Sequence, residues 1–323
     1  MSLALIFNHH SLPFVNAPDA NVGIAKFINT FHECQRFGYG LLWVDENRIN
    51  QVFDIELSAN YFIRDWFSWA KSQGQYIDLT RKLRSIQTLK PLFTPTAYQQ
   101  TDNQLEVGFA DQNQGSSVLL ATYHYQTFLI SFASDSVWTA AWLNVWVLDL
   151  DSDEQQTRLP NLSDDISLIE HQASLKQIRN TRLADGRSIW DSRKQFFPYL
   201  VFLDNPIGCQ LKTWSHRQDV LDKARDSLVA MNNFVEKWRN NVYLDYRHQF
   251  LSACDLAAEV SGESTSVNND SKKKAEREFF LPMGRKVYCE NHVKLPDGFR
   301  MHFYPDSATK TIYVVYLGTH LTL

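Results

Sequence analysis

Phe299-Arg300-Met301-His302-Phe303-Tyr304-Pro305-Asp306, a polar link, then Thr311-Ile312-Tyr313-Val314-Val315-Tyr316-Leu317-Gly318-Thr319-His320: this stretch decides the fold. In its first half Phe299, Met301 and Phe303 alternate with Arg300, His302 and Tyr304, which is the period of a half-buried strand. Two apolar-rich runs, 278–281 and 286–295, precede it. Pro282-Met283-Gly284 and Pro296-Asp297-Gly298 part the runs. Proline presets φ and glycine accepts a positive φ, so both read as turns. Links this short join antiparallel neighbours. The expectation is a β-meander of four runs over residues 276–323.

The clearest helix covers 218–239, where Leu221, Ala224, Leu228, Met231, Val235 and Trp238 recur at spacings of three and four. A second amphipathic piece, 246–259, follows it. Between that piece and the meander, 261–271 is the most polar stretch and reads as a mobile loop or internal boundary. Nearer the start, an apolar run at 3–7 ends in Asn8-His9-His10, a helix fits 21–37 on Ile24, Phe27, Ile28 and Phe31, and 41–44 reads as a strand. That rhythm is a βαβ unit and predicts a mixed, partly parallel sheet. Further helices are expected over 61–71, 79–89 and 164–179, and strands over 127–132, 143–150 and 199–202. Residues 118–125 fit either element, and 94–104 and 111–117 read as loops. The fold class is α+β: a mixed α/β body over 1–215, then a helical segment plus antiparallel meander over 216–323. The two can also form one continuous domain.

Composition narrows the function classes. Hydrophobic residues make up 44% and charged residues 21%, ordinary for a folded globular chain. A net charge of −4 gives no global attraction to nucleic acid. Residues 270–323 nevertheless carry nine Lys/Arg against six Asp/Glu, a basic closing module compatible with a phosphate-bearing ligand. Cys34, Cys209, Cys254 and Cys289 are scattered without a Cys-x-x-Cys pair, which disfavours a zinc ribbon or disulfide framework. The amino terminus lacks the basic segment of a signal peptide, and no apolar run has the length of a membrane span. A cytoplasmic location with no membrane partner is expected.

The common nucleotide-binding loops and the Gly-x-Ser-x-Gly elbow are absent. Asp149, Asp151, Asp153 and Glu154 form a carboxylate run after a strand, but without the glycine and closing glutamate of a calcium loop they read as solvated. Arg81, Lys82, Arg84 and Lys90 read as a solvated helix face. His9 and His10 could ligate a metal, although adjacent histidines are commoner as surface residues. No cofactor and no metal site is expected.

The closing strands are richer. His292 and Lys294 share a face, as do Arg300, His302 and Tyr304, and as do Tyr316, Gly318 and His320. Aligned, these sets could cleave RNA without metal: a base takes the 2′-hydroxyl proton, an acid protonates the leaving oxygen, and cations stabilise the phosphorane. Tyrosine and histidine rings could stack on unpaired bases. The competing reading is the polar face of a sheet whose other face packs on the 218–239 helix.

Helical segments followed by this short meander, with Arg300-Met-His-Phe-Tyr, a turn, and Ile312-Tyr-Val-Val-Tyr-Leu-Gly-Thr-His320, resemble the end of RelE-superfamily toxins. The resemblance covers about the last fifty residues, and some 260 residues precede it where a typical toxin stands alone. It implies ribonuclease chemistry on the sheet surface, carried here by Arg300 and His320, and less directly by His302. The whole chain also resembles bacterial defence-associated proteins without an assigned activity. The functional expectation is a toxin-like or phage-defence (antiviral) effector that engages RNA through its C-terminal meander. His292, Arg300, His302 and His320 form its catalytic set, with Lys294, Tyr304 and Tyr316 as substrate contacts. The alternative is a non-catalytic scaffold or accessory subunit of a multi-protein defence complex. A third reading is a DNA-processing enzyme with a metal at Asp149, Asp151 and Asp153.

Overall fold

The computed structural model of the chain describes residues 3–45, 48–49, 51–89, 105–149, 153–203, 210–215 and 217–322. Cys209, Asp151, Lys90 and the 94–104 loop expectation fall outside them. The fold is α+β, and it divides into two compact units, Met1–Gln177 and Ile178–Leu323.

In the first unit, β1 (Leu3–Phe7), α1 (Ala17–Gln35) and β2 (Tyr39–Trp43) form the expected βαβ unit, with β1 and β2 parallel. Asn16 caps α1 by accepting from the Asp19 N–H, and the helix buries Ile24, Phe27, Ile28 and Phe31. Next come the short strands β3 (Glu56–Ser58) and β4 (Tyr61–Phe62), then helices α2 (Ile63–Ser72) and α3 (Ile77–Leu89). The rest of the unit comprises β5 (Leu105–Phe109), α4 (Ser117–Tyr125), β6 (Leu129–Ile130), α5 (Ser136–Thr139), β7 (Trp142–Asp149) and β8 (Gln155–Leu162). The helix α6 (Asp165–Arg182) crosses the boundary between the units. The six-stranded sheet has the order β2-β1-β6-β8-β7-β5, parallel as far as β8 and antiparallel beyond it. Strand β8 escapes the sequence pattern because its first four residues are exposed and polar and Pro160 interrupts it.

In the second unit, α7 (Gly186–Phe196) and β9 (Leu200–Phe202) precede α8 (Gln218–Arg239), which has the predicted bounds. The expected amphipathic helix at 246–259 shrinks to α9 (His248–Ser252). The 261–271 stretch is not the mobile loop its composition suggests. It contains part of β10 (Val260–Ser261) and all of α10 (Thr265–Asn268), and it leads into α11 (Ser271–Ala275). Ser264 and Asp270 cap these short helices with their side chains.

The meander is real but has three strands, β13 (His292–Lys294), β14 (Phe299–Asp306) and β15 (Thr311–Thr319), paired antiparallel in sequence order. The sheet extends to β10 on one side and to β9, parallel, on the other. The run 286–295 is two strands. Cys289-Glu290-Asn291 breaks it, and β12 (Lys286–Tyr288) pairs with β11 (Glu278–Phe280) as a separate hairpin.

One face of the five-stranded sheet is therefore covered, and the other is covered over part of its area. Met301 and Phe303, fully buried, join Leu228, Met231, Val235 and Trp238 of α8 in one core. Behind the other face, Val315 packs with Leu281, Val287 and Cys289, and Phe279, Tyr304, Tyr313 and Tyr316 close around them. A bulge between His302 and Phe303 makes this second cluster possible: it skips Val315 in the register and turns it inward.

Candidate functional site

The pairing register brings the predicted residues into two rows. One is His292–His302–Tyr316, the other Lys294–Arg300–Gly318. The rows lie on one face, as the alternation implied. They differ in access.

The histidine row is buried, with His292 6% and His302 1% exposed. Their rings lie 5.0 Å apart, and Tyr316 meets His302 edge-on at 5.7 Å. Two residues outside the predicted set complete this cluster. Glu263, whose side chain is only 4% exposed, places Oε1 3.5 Å from His292 Nδ1 and 3.9 Å from His302 Nδ1. Arg277, fully buried, places Nε 2.8 Å from the same oxygen. The approach is an ion pair without hydrogen-bond alignment, so both Nε and Oε1 lack a hydrogen-bond partner. The guanidinium is fixed by its other nitrogens, which donate to the carbonyls of Lys273 and Thr322. His292 Nε2 pairs with Ser261 Oγ at 3.0 Å, while its Nδ1 lies 3.4 Å from the Glu290 carbonyl. His302 Nδ1 lies 3.4 Å from the Cys289 carbonyl.

Burial pushes the His302 imidazole down to about 3, and His292 next to it lowers it further. Burial also lowers His292, partly opposed by the charge of Glu263. Burial therefore favours the neutral form of both rings, and at 6% and 1% exposure neither is open to a polymer. Nothing in the local sequence marks Glu263 as buried, because it sits among Ser, Thr and Asn.

The second row is half-exposed. Lys294 Nζ pairs with Glu259 at 2.5 Å. Arg300 donates from Nη1 to its neighbour's carbonyl, but its Nε is buried with no hydrogen-bond partner. Gly318 has no side chain, and the Gln210 amide occupies the position a Cβ would take. His320 follows one turn of the pleat later and bonds the Leu321 carbonyl through Nδ1. Tyr316 donates to the Thr319 carbonyl. Tyr304 is not part of either row's chemistry: it packs in the second cluster beneath the Arg285 guanidinium, 5.6 Å away.

Among the described residues, Glu263, His292 and His302 form the one group of three side chains placed to share a metal ion, their ligand atoms lying within 4.8 Å of one another. The other charged patches read differently. Asp153 and Glu154 are exposed. Lys82 pairs with Asp78 at 3.4 Å, and Arg84 lies over the Phe67 ring.

In the first unit, His9 and His10 cap the end of β1, where Asn8 donates to Ser131 and Ser131 donates to Asn161 in a buried chain. His10 Nε2 bonds Ser116 Oγ at 3.0 Å, and Ser117 donates to Asp45 at 2.5 Å. Burial pushes His10 down to about 4, with His9 and Arg48 adding to the effect and Asp45 opposing it. The unfolded chain then takes up a proton below pH 6.5 that the folded chain refuses until about 4. Stability is constant above that window and falls through it as pH drops. The slope is at most about 1.4 kcal/mol per pH unit, less after solvent screening of this partly exposed ring. Urea unfolding at pH 7 and pH 5, read from hydrogen-exchange protection of the β1 and β6 amides of the first unit, should show a smaller loss for His10→Gln than for the native chain. Equal losses would contradict this account.

No protein-family model matches the chain, and no curated protein or solved structure matches it. Among the described residues, no helix is long and apolar enough to cross a membrane.

Proposed function

We propose that the chain is a toxin-like or phage-defence effector whose C-terminal unit engages RNA along the half-exposed row of β13 to β15. One observation carries the reading. Arg300 and Lys294, both half-exposed, stand opposite each other on β14 and β13, and Lys294 is held only by an exposed pair with Glu259, so two cations meet where a phosphate could reach them. The charge balance favours it too: residues 178–323 carry 21 Lys/Arg against 17 Asp/Glu. In this reading Arg300 and Lys294 hold a phosphate, and His320 is the proton-transfer group of a metal-independent cleavage. Tyr316, packed between His302 and Phe279, supports this row from the side. His292 and His302 stand behind this row and shape it without touching the substrate.

The test is expression in bacteria with total RNA examined. Growth arrest with RNA cleavage is expected for the native chain. Arg300→Ala should lower the cleavage rate about 10²–10³-fold, the cost of losing a charge-stabilising donor. His320→Ala should lower it about 10²–10⁴-fold. Intact RNA with a folded, well-expressed chain would overturn cleavage.

A second reading, a non-catalytic scaffold or accessory subunit of a defence complex, has its own support in the first unit. Ile166 and Ile169 on α6 are 72% and 73% exposed, one helical turn apart, with Ile169 beside Glu33 and Phe37 and Ile166 beside Lys26 and Asn29. Adjacent exposed isoleucines are the kind of surface a partner protein covers. A scaffold would leave RNA intact and co-purify with its partner, and Ile166→Asp would release that partner.

A further inference from the structure

We propose that Glu263, His292 and His302 bind a divalent transition-metal ion of the zinc type, which ties the Ser261–Glu263 segment to the meander. The inference does not rest on RNA engagement.

The spacing of the three groups carries it. At 3.5 and 3.9 Å, the two Nδ1 atoms are too far from Glu263 Oε1 for good hydrogen bonds. They are near the separation of two ligands on one ion: with metal–ligand bonds of ~2.0–2.1 Å at the tetrahedral angle, donor atoms stand ~3.4 Å apart. The carboxylate is the second observation. Its Oε1 is buried and accepts no hydrogen bond, although a buried oxygen of this kind normally has a donor.

The surroundings fit the role. Ser261 Oγ can accept from His292 Nε2–H, which would leave the Nδ1 lone pair facing the carboxylate. The carbonyls of Cys289 and Glu290, each 3.4 Å from an Nδ1 atom, can only accept from Nδ1–H, so ligation would replace two long hydrogen bonds and shift the proton to Nε2. Two imidazoles with one carboxylate suit zinc better than calcium or magnesium. Arg277 then serves as the outer partner of the ligating carboxylate, its charge offsetting part of the ion's attraction. Because the ligand atoms are buried, the ion acts as a staple and not as a Lewis acid for a polymer substrate.

The test uses the full chain, purified without added metal and dialysed against a weak chelator. Zinc content by plasma mass spectrometry should be about one per chain. Strong chelation should lower the thermal midpoint, and zinc should restore it. Glu263→Gln and His292→Gln should each weaken zinc binding at least about 10-fold, as losing even an outer partner does. Should those variants fail to fold, cobalt(II) added to the native chain decides: visible d–d absorption saturating at about one equivalent supports the site. Failure to bind zinc, a thermal midpoint indifferent to it and a featureless cobalt spectrum would overturn the proposal. So would native zinc affinity in a folded Glu263→Gln chain. RNA binding is read separately on Arg300→Ala, so failure of either reading leaves the other standing.

Discussion

Arg277→Leu should destabilise the C-terminal unit by about 3–5 kcal/mol, the cost of leaving a buried charge without its partner. Arg277 is fully buried, and the Glu263 side chain it faces is 4% exposed. Losing the guanidinium leaves a carboxylate away from water and removes the two bonds to the Lys273 and Thr322 carbonyls. The chain has two compact units, so a global unfolding curve would mix them. Hydrogen exchange of the β13 and β14 amides, read in native buffer, isolates the effect. Compared in the metal-free chain, the double variant Glu263→Leu with Arg277→Leu should recover much of the loss, because replacing a buried ion pair by apolar side chains is often neutral. A single-variant loss under about 1 kcal/mol would mean that water reaches the pair.

Trp238→Ala should cost about 3–5 kcal/mol, with the deficit confined to the second unit. The indole is fully buried in the α8 core, 5.4 Å from the Phe234 ring, and its Nε1–H donates to the Leu244 carbonyl. The same residue anchors the hairpin between β14 and β15 through its backbone, where its carbonyl accepts from Lys310. Truncation removes the largest apolar side chain on that stripe and leaves a cavity between helix and sheet. Unchanged protection of the β14 and β15 amides would show that the sheet does not depend on this packing.

What the sequence revealed follows from period and turn chemistry. Phe299, Met301 and Phe303 read correctly as the face toward α8 because strict alternation has one structural meaning. The α8 stripe was legible over its full length for the same reason. That His292 lies opposite His302 was not legible, because alternation assigns side chains to faces but leaves the register open. Nor was the cover over that pair. No glycine or proline marks the break at Cys289-Glu290-Asn291, so the fold-back of the β11–β12 hairpin had no local signal. Arg277 lies in a run of charges, Lys272 to Glu278, that looks solvated throughout, and only tertiary contacts bury it. Burial of Glu263 is likewise a tertiary effect that overrides a polar, loop-like composition.

Whether Arg300 and its neighbours hold an RNA phosphate is read from binding of a labelled single-stranded RNA to the purified full chain across a salt series. The account predicts binding that weakens as salt rises, with a slope of about −0.7 per phosphate contacted. Arg300→Ala should weaken it about 10-fold, as expected for a charge-assisted hydrogen bond, and should flatten the slope. No binding at low salt, or binding that Arg300→Ala leaves unchanged in strength and slope, would contradict it.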